Sequence, residues 1–179
     1  MFTAIDSVPL TAIAFFMLTG ELMTSATITD RLVALSRALI GRIRGGLAQV
    51  NVLVSMFFAG MNGSVVADTA TVGALVLPAM KKAGYPAAFS AAVTGVSSTI
   101  GGIIPPSIMM IVLANATEIS IASLFAAGII PGILIGVVIM VINHYFAVKH
   151  NFERSDEPFS VRRAGKELYR SSFALLIPV

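Results

Sequence analysis

The sequence of 179 residues contains no cysteine and no tryptophan, and it has only two histidines. The lack of cysteine excludes disulfides, thiol chemistry and thiolate metal sites. Charge is also scarce: charged residues make up 12% of the chain, whereas soluble domains usually have about 25%. The hydrophobic share is 56% and the mean hydropathy is +0.90. This composition predicts an integral membrane protein.

Signatures of the common enzyme classes are missing too. There is no dinucleotide-binding glycine motif, P-loop, H-E-x-x-H or C-x-x-C. An aspartyl hydrolase working inside the membrane needs two carboxylates that share a proton, and Asp68 is the only acid predicted at mid-membrane depth. We therefore predict that the protein is not an enzyme. Among the other acids, those nearest the apolar segments fall at or outside the predicted membrane edges: Asp6, Glu21, Asp30 and Glu118.

Lys and Arg are absent from residues 83–148. Basic residues near membrane segments stay on the cytoplasmic side. The basic clusters therefore predict that residues 25–46, 81–85 and 149–170 are cytoplasmic, and the polar residues 115–120 predict an external loop. The net charge of +3 sits in these clusters, so it reports topology and not nucleic-acid binding. The N-terminus lacks a basic n-region, so no cleavable signal peptide is expected.

The stretch 47–80 is apolar, with basic residues near both ends and a polar, glycine-rich centre at 60–64. Two arms of about 16 residues would each be roughly 24 Å long, which is short of the ~30 Å hydrocarbon core. Both ends face the same side, so we predict a re-entrant helical hairpin with its tip near Asn62. Non-helical backbone at membrane depth must be buried in protein or line a cavity. The tip is therefore a candidate binding site.

The segment 87–115 contains Gly101-Gly102 and Pro105-Pro106 in its middle. Adjacent prolines cannot continue a helix, so this segment should be two half-helices with an unwound turn between them. Together the segments predict an all-α integral membrane protein with one transmembrane domain over 1–179. Its predicted elements are transmembrane helix 8–24, interfacial helix 29–46, re-entrant hairpin 47–80, broken transmembrane helix 87–115, transmembrane helix 121–147 and cytoplasmic linker 149–172.

A hairpin tip and an unwound helix near the midplane are the architecture of secondary transporters. Hydroxyl, amide and carbonyl oxygens at such a place suit a hard cation, and the predicted Na⁺ ligands are Ser64, Ser98, Thr99 and Gly101. Asp68, Pro105 and Pro106 would support the site. The candidate ion- and substrate-binding residues are Gly60, Asn62, Gly63, Ser64, Ser97, Ser98, Thr99, Gly101 and Gly102.

Most of these residues also have a structural interpretation. Ser64 could be the N-cap of the returning arm, and the hydroxyls at 97–99 could bond back to their own helix. Asp68 could hold the hairpin by bonding to backbone, although a carboxylate inside a membrane is costly and usually functional. Small residues in membrane helices usually permit close packing, and this is our interpretation of Gly73, Gly95, Gly128, Gly132 and Gly136.

Several runs resemble the large membrane (permease) subunit of tripartite ATP-independent periplasmic (TRAP) transporters. The most specific is Val96-Ser-Ser-Thr-Ile-Gly-Gly-Ile-Ile-Pro-Pro-Ser107. Asn62 stands where that family commonly has serine, and Gly102 where it frequently has proline. The other similar runs are Gly20 to Met23, Gly41 to Leu47, Phe58 to Asp68, Leu77 to Tyr85 and Leu124 to Gly132.

The resemblance implies half of an inverted-repeat, elevator-type importer in a bacterial inner membrane, with multiple spans and sodium coupling. Its substrates would be organic acids such as C4-dicarboxylates or sialic acid, and Na⁺ would be the coupling ion with no other cofactor. The implied partners are a small membrane subunit, a periplasmic substrate-binding protein, the remainder of the large subunit and membrane lipid, without nucleic acid. The tip at 60–64 and the unwound helix at 97–102 would form one repeat's sodium and substrate region. A divalent-anion/sodium symporter is the alternative.

Overall fold

In the computed structural model, the described part of the chain forms helices and no strand, which confirms the all-α class. Two predicted segments, the helix 8–24 and the linker 149–172, fall mostly outside the described residues and stay predictions. The described residues are 11, 13–15, 18, 28–40 and 43–152.

The described residues 28–40 and 43–152 form a succession of helices. They are α1 Ile28–Ile40, α2 Gly46–Asn62, α3 Val65–Lys82, α4 Ala87–Ser98, a 3₁₀ helix Thr99–Gly102, α5 Ile108–Thr117 and α6 Ile121–Lys149. Only Gly63 and Ser64 separate α2 from α3, and these two helices contact each other, so they form a helical hairpin. Whether this hairpin is re-entrant stays a prediction.

Helix α2 lies at the centre of the described fold, where it contacts α1, α3, α4, the 3₁₀ helix and α6. Its apolar side chains Val50, Val54 and Phe58 are buried. Two polar side chains of α2, Asn51 and Ser55, are buried as completely as these apolar ones. The centre of the bundle therefore contains a polar region enclosed by apolar packing.

Helix α1 is amphipathic, as its sequence indicates. Leu32 and Leu35 are buried and Arg37 is exposed. Helix α1 ends at Ile40, earlier than the predicted 29–46, and a turn at 43–45 leads into α2. Gly45 has φ 72°, and a Cβ there would overlap the Ala147 side chain of α6. Glycine suits this position just before α2, because it tolerates the left-handed conformation and has no Cβ to contact Ala147.

Helix α6 is the one helix among residues 28–40 and 43–152 that is long and apolar enough to span a membrane. It has 29 residues, and an 18-residue stretch of it has a mean hydropathy of 2.7. The helix is about 44 Å long at ~1.5 Å per residue. Most of its large apolar side chains are exposed, among them Ile130, Leu134 and Val141. The face of α6 that packs against the rest of the fold contains Gly128, Gly132 and Gly136.

An aromatic cluster joins the start of α4 to the end of α6. The ring centroids of Phe89 and Phe152 lie 5.1 Å apart, and those of Tyr85 and Phe152 lie 4.8 Å apart. Each such pair contributes about 0.5–1.5 kcal/mol beyond its burial. The cluster therefore stabilises the packing of the broken helix against α6.

The topology can be tested with single cysteines, because the chain has none of its own. Helices α2 and α3 have 17 and 18 residues, or about 26–27 Å each, short of a ~30 Å core. We expect Arg44→Cys and Lys82→Cys to react with a membrane-impermeant maleimide from the same side, and Glu118→Cys from the other. All three positions are exposed. The unmodified chain is the blank. Labelling of 44 and 82 from opposite sides would disprove the re-entrant hairpin.

Candidate functional site

The hairpin tip (residues 60–64) packs against the break (residues 99–107) in the following helix. The Ile108 N–H donates a hydrogen bond of 3.2 Å to the Gly63 carbonyl. Gly63 has φ 59°, and a Cβ there would overlap the Pro106 carbonyl, so this position needs glycine. A Cβ on Gly101 would lie 3.7 Å from the Ser64 carbonyl oxygen. Two further close pairs are Gly60 with Pro105 and Gly102 with Val65.

Local hydrogen bonds order the tip itself. The Ser64 hydroxyl accepts a bond of 3.3 Å from the Ala67 N–H, so Ser64 is the N-cap of α3. The Asn62 Oδ1 accepts a bond of 3.0 Å from the Ser64 N–H. This bond identifies the oxygen end of the amide. The Asn62 Nδ2 is buried and has no hydrogen-bond partner, so the tip holds an unused donor.

Ser107 bridges the break. Its hydroxyl donates a bond of 2.9 Å to the Gly102 carbonyl and accepts one of 3.3 Å from the Met110 N–H. Pro105 and Pro106 lack the N–H groups that would continue the helix, so this side chain replaces part of the missing backbone bonding. Sequence reasoning did not include Ser107 among the candidates. The available signal was a serine placed directly before an apolar helical run, which is typical of an N-cap.

The hydroxyls at 97–99 have three different environments. Ser97 is buried and donates to the Asn51 Oδ1 of α2 at 3.0 Å. Ser98 is buried and donates to the Thr94 carbonyl of its own helix at 2.8 Å. Thr99 is exposed and donates to the Val96 carbonyl at 2.7 Å. The Ser97 hydroxyl also lies within hydrogen-bond distance, 3.1 Å, of the Thr94 carbonyl of its own helix. The back-bonding interpretation therefore applies to all three hydroxyls, and Ser97 also reaches α2.

Asp68 is completely buried in the first turn of α3. Neither of its carboxylate oxygens has a hydrogen-bond partner, so the carboxylate does not hold the hairpin by bonding to backbone. Its polar neighbours are the hydroxyls of Ser98 on α4 and Ser55 on α2. Sequence reasoning missed Ser55 and Asn51. Their four-residue spacing in an apolar helix, which gives α2 one polar stripe, was the signal.

A row of glycines on α6 packs against the break. A Cβ on Gly128 would lie 2.5 Å from the Ile103 carbonyl oxygen, and one on Gly132 would overlap the Ile104 side chain. The packing interpretation is therefore confirmed for these two glycines and for Gly136, which meets the Met56 side chain. For Gly95 the described residues show no such packing, because none of them outside its own helical turn has an atom within 4 Å of a Cβ there. Gly73 has only ordinary contacts, the nearest at 3.5 Å.

The family model described as "Tripartite ATP-independent periplasmic transporter, DctM component" matches residues 1–179. The chain is 39% identical over 177 residues to the sialic acid TRAP transporter permease protein SiaT of Haemophilus influenzae, covering 98% of the chain and 28% of SiaT. It is 43% identical over 147 residues to the C4-dicarboxylate TRAP transporter large permease protein DctM of Pseudomonas aeruginosa, covering 82% and 34%.

A third relative is the sialic acid TRAP transporter large permease protein SiaM of Vibrio cholerae. It is 37% identical over 179 residues, which is 100% of the chain and 42% of SiaM. The chain therefore spans between 28% and 42% of the length of these three relatives.

Proposed function

Because the chain belongs to the DctM family of tripartite ATP-independent periplasmic transporters, we propose that it is the ion- and substrate-binding part of a sodium-coupled organic-acid permease. The family consists of transporter permeases, which points away from an enzyme. Family membership also favours this function over the divalent-anion/sodium symporter. The protein would act in a bacterial inner membrane as one repeat of a larger, multi-pass subunit.

The observation that carries the proposal is the packing of the hairpin tip against the break. Irregular backbone at membrane depth is tolerated only where it is buried in protein or lines a cavity. Here two irregular segments meet, and the Ile108 N–H to Gly63 carbonyl bond joins them. In secondary transporters such segments hold the ions and the substrate.

The substrate class is supported by two features of the tip. The N-terminus of α3 begins at the Ser64 cap, and the positive end of a helix dipole favours an anionic group. The unused Nδ2 donor of Asn62 supplies a hydrogen bond for a carboxylate oxygen. The names of the relatives, for sialic acid and C4-dicarboxylate, are consistent with an organic acid.

Sodium coupling and the partner proteins are part of the same proposal. The predicted Na⁺ ligands at Ser64, Ser98, Thr99 and Gly101 supply hydroxyl and carbonyl oxygens, the ligands that hard cations prefer. The partners would be a small membrane subunit, a periplasmic substrate-binding protein and the remainder of the large subunit. Exposed apolar side chains on α6 such as Ile130 suit contact with the small membrane subunit, with the remainder of the large subunit or with lipid.

A chimera tests the proposal. This chain replaces the aligned segment of the Pseudomonas aeruginosa DctM protein, and the chimera is reconstituted in liposomes with that system's other components. We expect an inward sodium gradient to drive uptake of a labelled C4-dicarboxylate. Asn62→Ala should raise the substrate concentration for half-maximal uptake roughly 10- to 100-fold, because a hydrogen bond to a charged group contributes about 1.5–3 kcal/mol.

Asn115→Ala is the matched control, since Asn115 is an exposed amide on α5 and should leave uptake unchanged. A chimera that folds and takes up nothing would contradict the proposed transport function. Uptake that depends on a proton gradient but not on sodium would contradict the coupling ion. Equal effects of Asn62→Ala and Asn115→Ala would remove the tip from the substrate site.

A further inference from the structure

The buried face of α4 offers few large side chains for packing. Four of its five buried residues carry a hydroxyl group: Ser90, Thr94, Ser97 and Ser98, beside Val93. Packed helices usually fix their relative position by fitting the side chains of one helix between those of the other. Side chains as small as serine form only shallow ridges. Another interaction must therefore set the axial and rotational position of α4 on α2, which we call the register of the two helices.

The side chain of Asn51 on α2 contacts this hydroxyl-bearing face. It is completely buried. Its Nδ2 donates a hydrogen bond of 2.7 Å to the Thr94 hydroxyl, and its Oδ1 accepts one of 3.0 Å from the Ser97 hydroxyl. Residues three positions apart are neighbours on one face of a helix, so the amide bonds two successive turns of α4. A change in either the axial shift or the rotation of α4 would break at least one of these bonds.

The direction of each hydrogen bond in this network is also fixed. A hydroxyl has one hydrogen to donate, and that of Thr94 goes to the Ser90 carbonyl at 2.9 Å, so Thr94 accepts from Asn51. The Ser55 hydroxyl donates to the Ser97 hydroxyl at 3.3 Å. No side-chain atom of these residues is among the unpartnered buried polar atoms of the described chain. A fully satisfied buried network favours one unique arrangement of the groups that form it.

The register of α4 determines where the break lies relative to the hairpin tip. Asn51 contacts α4, and further along the same two segments Gly63 contacts Ile108, so α2 and the segment 87–108 run in the same direction. A shift of α4 by one residue would move the break by about 1.5 Å and rotate it by about 100°. The 3.2 Å bond from the Ile108 N–H to the Gly63 carbonyl would not survive such a shift.

We propose that Asn51 is a positioning residue, whose amide holds α4 in the register that places the break against the hairpin tip. A single buried asparagine fixes the register of paired helices in coiled coils, because other registers leave its polar groups without partners. The proposal rests on the proposed function in one respect, since the contact between tip and break is the proposed binding site. Without the amide, the binding-competent register is only partly populated, and the apparent affinity for substrate falls by that fraction.

Asn51→Leu tests the proposal, because leucine has nearly the same shape and no polar group. The hydroxyls of Thr94 and Ser97 keep acceptors on their own helix, the carbonyls of Ser90 at 2.9 Å and of Thr94 at 3.1 Å, so the fold should survive. In the chimera we expect the substrate concentration for half-maximal uptake to rise roughly tenfold, with the maximal rate nearly unchanged. Loss of folded protein alone would instead lower the maximal rate and leave the half-maximal concentration unchanged.

A cross-link measures the contact between tip and break directly in the purified chain. A Cβ on Gly102 would lie 3.3 Å from the Val65 Cγ2, which is close enough for a disulfide between Val65→Cys and Gly102→Cys. The chain has no other cysteine, so diamide can form only this intramolecular bond. We expect Asn51→Leu to slow cross-linking roughly tenfold. The factor should match that in the uptake measurement, because both report the population of one register.

Gln49→Met is the matched control. Gln49 is a buried amide on the same helix, but its Nε2 donates to the Met140 carbonyl of α6 at 2.8 Å, so this variant should change neither the cross-linking rate nor the half-maximal concentration. If Asn51→Leu fails to fold, Thr94→Val removes the acceptor from the other side and should slow cross-linking in the same way.

Equal cross-linking rates with and without the Asn51 amide would overturn the proposal, as would a cysteine pair that fails to cross-link with Asn51 present. Slower cross-linking with an unchanged half-maximal concentration would also overturn it, because the register would then have no effect on substrate binding. A chimera that takes up nothing, combined with slower cross-linking in Asn51→Leu, would count against the proposed transport function and leave the role of Asn51 in the register supported.

Discussion

Gly63→Ala is expected to abolish uptake by the chimera and to destabilise the chain by roughly 2–5 kcal/mol. Gly63 has φ 59°, and an added Cβ would overlap the Pro106 carbonyl. The left-handed conformation costs a residue with a Cβ about 1–2 kcal/mol, and overpacking costs about 1–3 kcal/mol more. Backbone cannot move aside as a flexible side chain does, so the tip and the break must separate. Thermal unfolding and sodium-driven uptake measure the two effects.

Gly84→Ala is the control that measures the free-energy cost of the left-handed backbone alone, without the overpacking expected in Gly63→Ala. Gly84 has φ 80°, but no atom lies within 4 Å of a Cβ placed there. This variant should lose only about 1–2 kcal/mol and keep its uptake. If Gly63→Ala and Gly84→Ala behave alike, contact between the tip and the break contributes nothing to stability or transport. The proposed site would then lose its main structural support.

Gly128→Ala is expected to disturb the break from the side of α6. A Cβ on Gly128 would lie 2.5 Å from the Ile103 carbonyl oxygen and overlap the Met110 side chain. Alanine in a helix gains about 1 kcal/mol over glycine, but overpacking against backbone should exceed this gain. We expect a net destabilisation of up to about 2 kcal/mol and a large loss of uptake, because α6 or the break must shift.

Gly95→Ala is the matched control in a helix. Gly95 is exposed in α4, and nothing lies within 4 Å of a Cβ there, so the substitution should stabilise the chain by up to about 1 kcal/mol. Gly128→Ala and Gly95→Ala should therefore change the free energy of unfolding in opposite directions, although the chemical substitution is the same. Stabilisation by Gly128→Ala as well would show that α6 does not pack closely behind the break.

Local chemistry explains why much of the fold could be read from the sequence. A proline lacks its N–H in any environment, so Pro105 and Pro106 indicate an interrupted helix whatever surrounds them. Apolar composition likewise indicates helices, since membrane-embedded backbone must satisfy its own hydrogen bonds. The polar, glycine-rich residues 60–64 mark the tip for the same local reason. In the structure α2 ends at Asn62 and α5 begins at Ile108.

The burial and contacts of single side chains could not be predicted from local sequence. Gly95 and Gly128 look alike in the sequence, yet one faces open space and the other the Ile103 carbonyl. Ser98 and Thr99 are adjacent, yet one is buried beside Asp68 and the other is exposed. What separates such residues is the rotation of each helix about its axis, which depends on the helices packed against it.

The sequence by itself determined a helical, strongly apolar chain, a glycine-rich tip and a break at two prolines, because these follow from composition and local backbone chemistry. Membership of the DctM family followed from the similarity of several sequence runs. Only the tertiary structure decided that the Gly63 carbonyl meets Ile108 and that Asn51 bonds Thr94 across 43 positions of sequence. It alone placed Ser55 and Ser98 beside an unpartnered Asp68. Such contacts join distant parts of the chain, and they exist only once α2, α3 and α4 have packed.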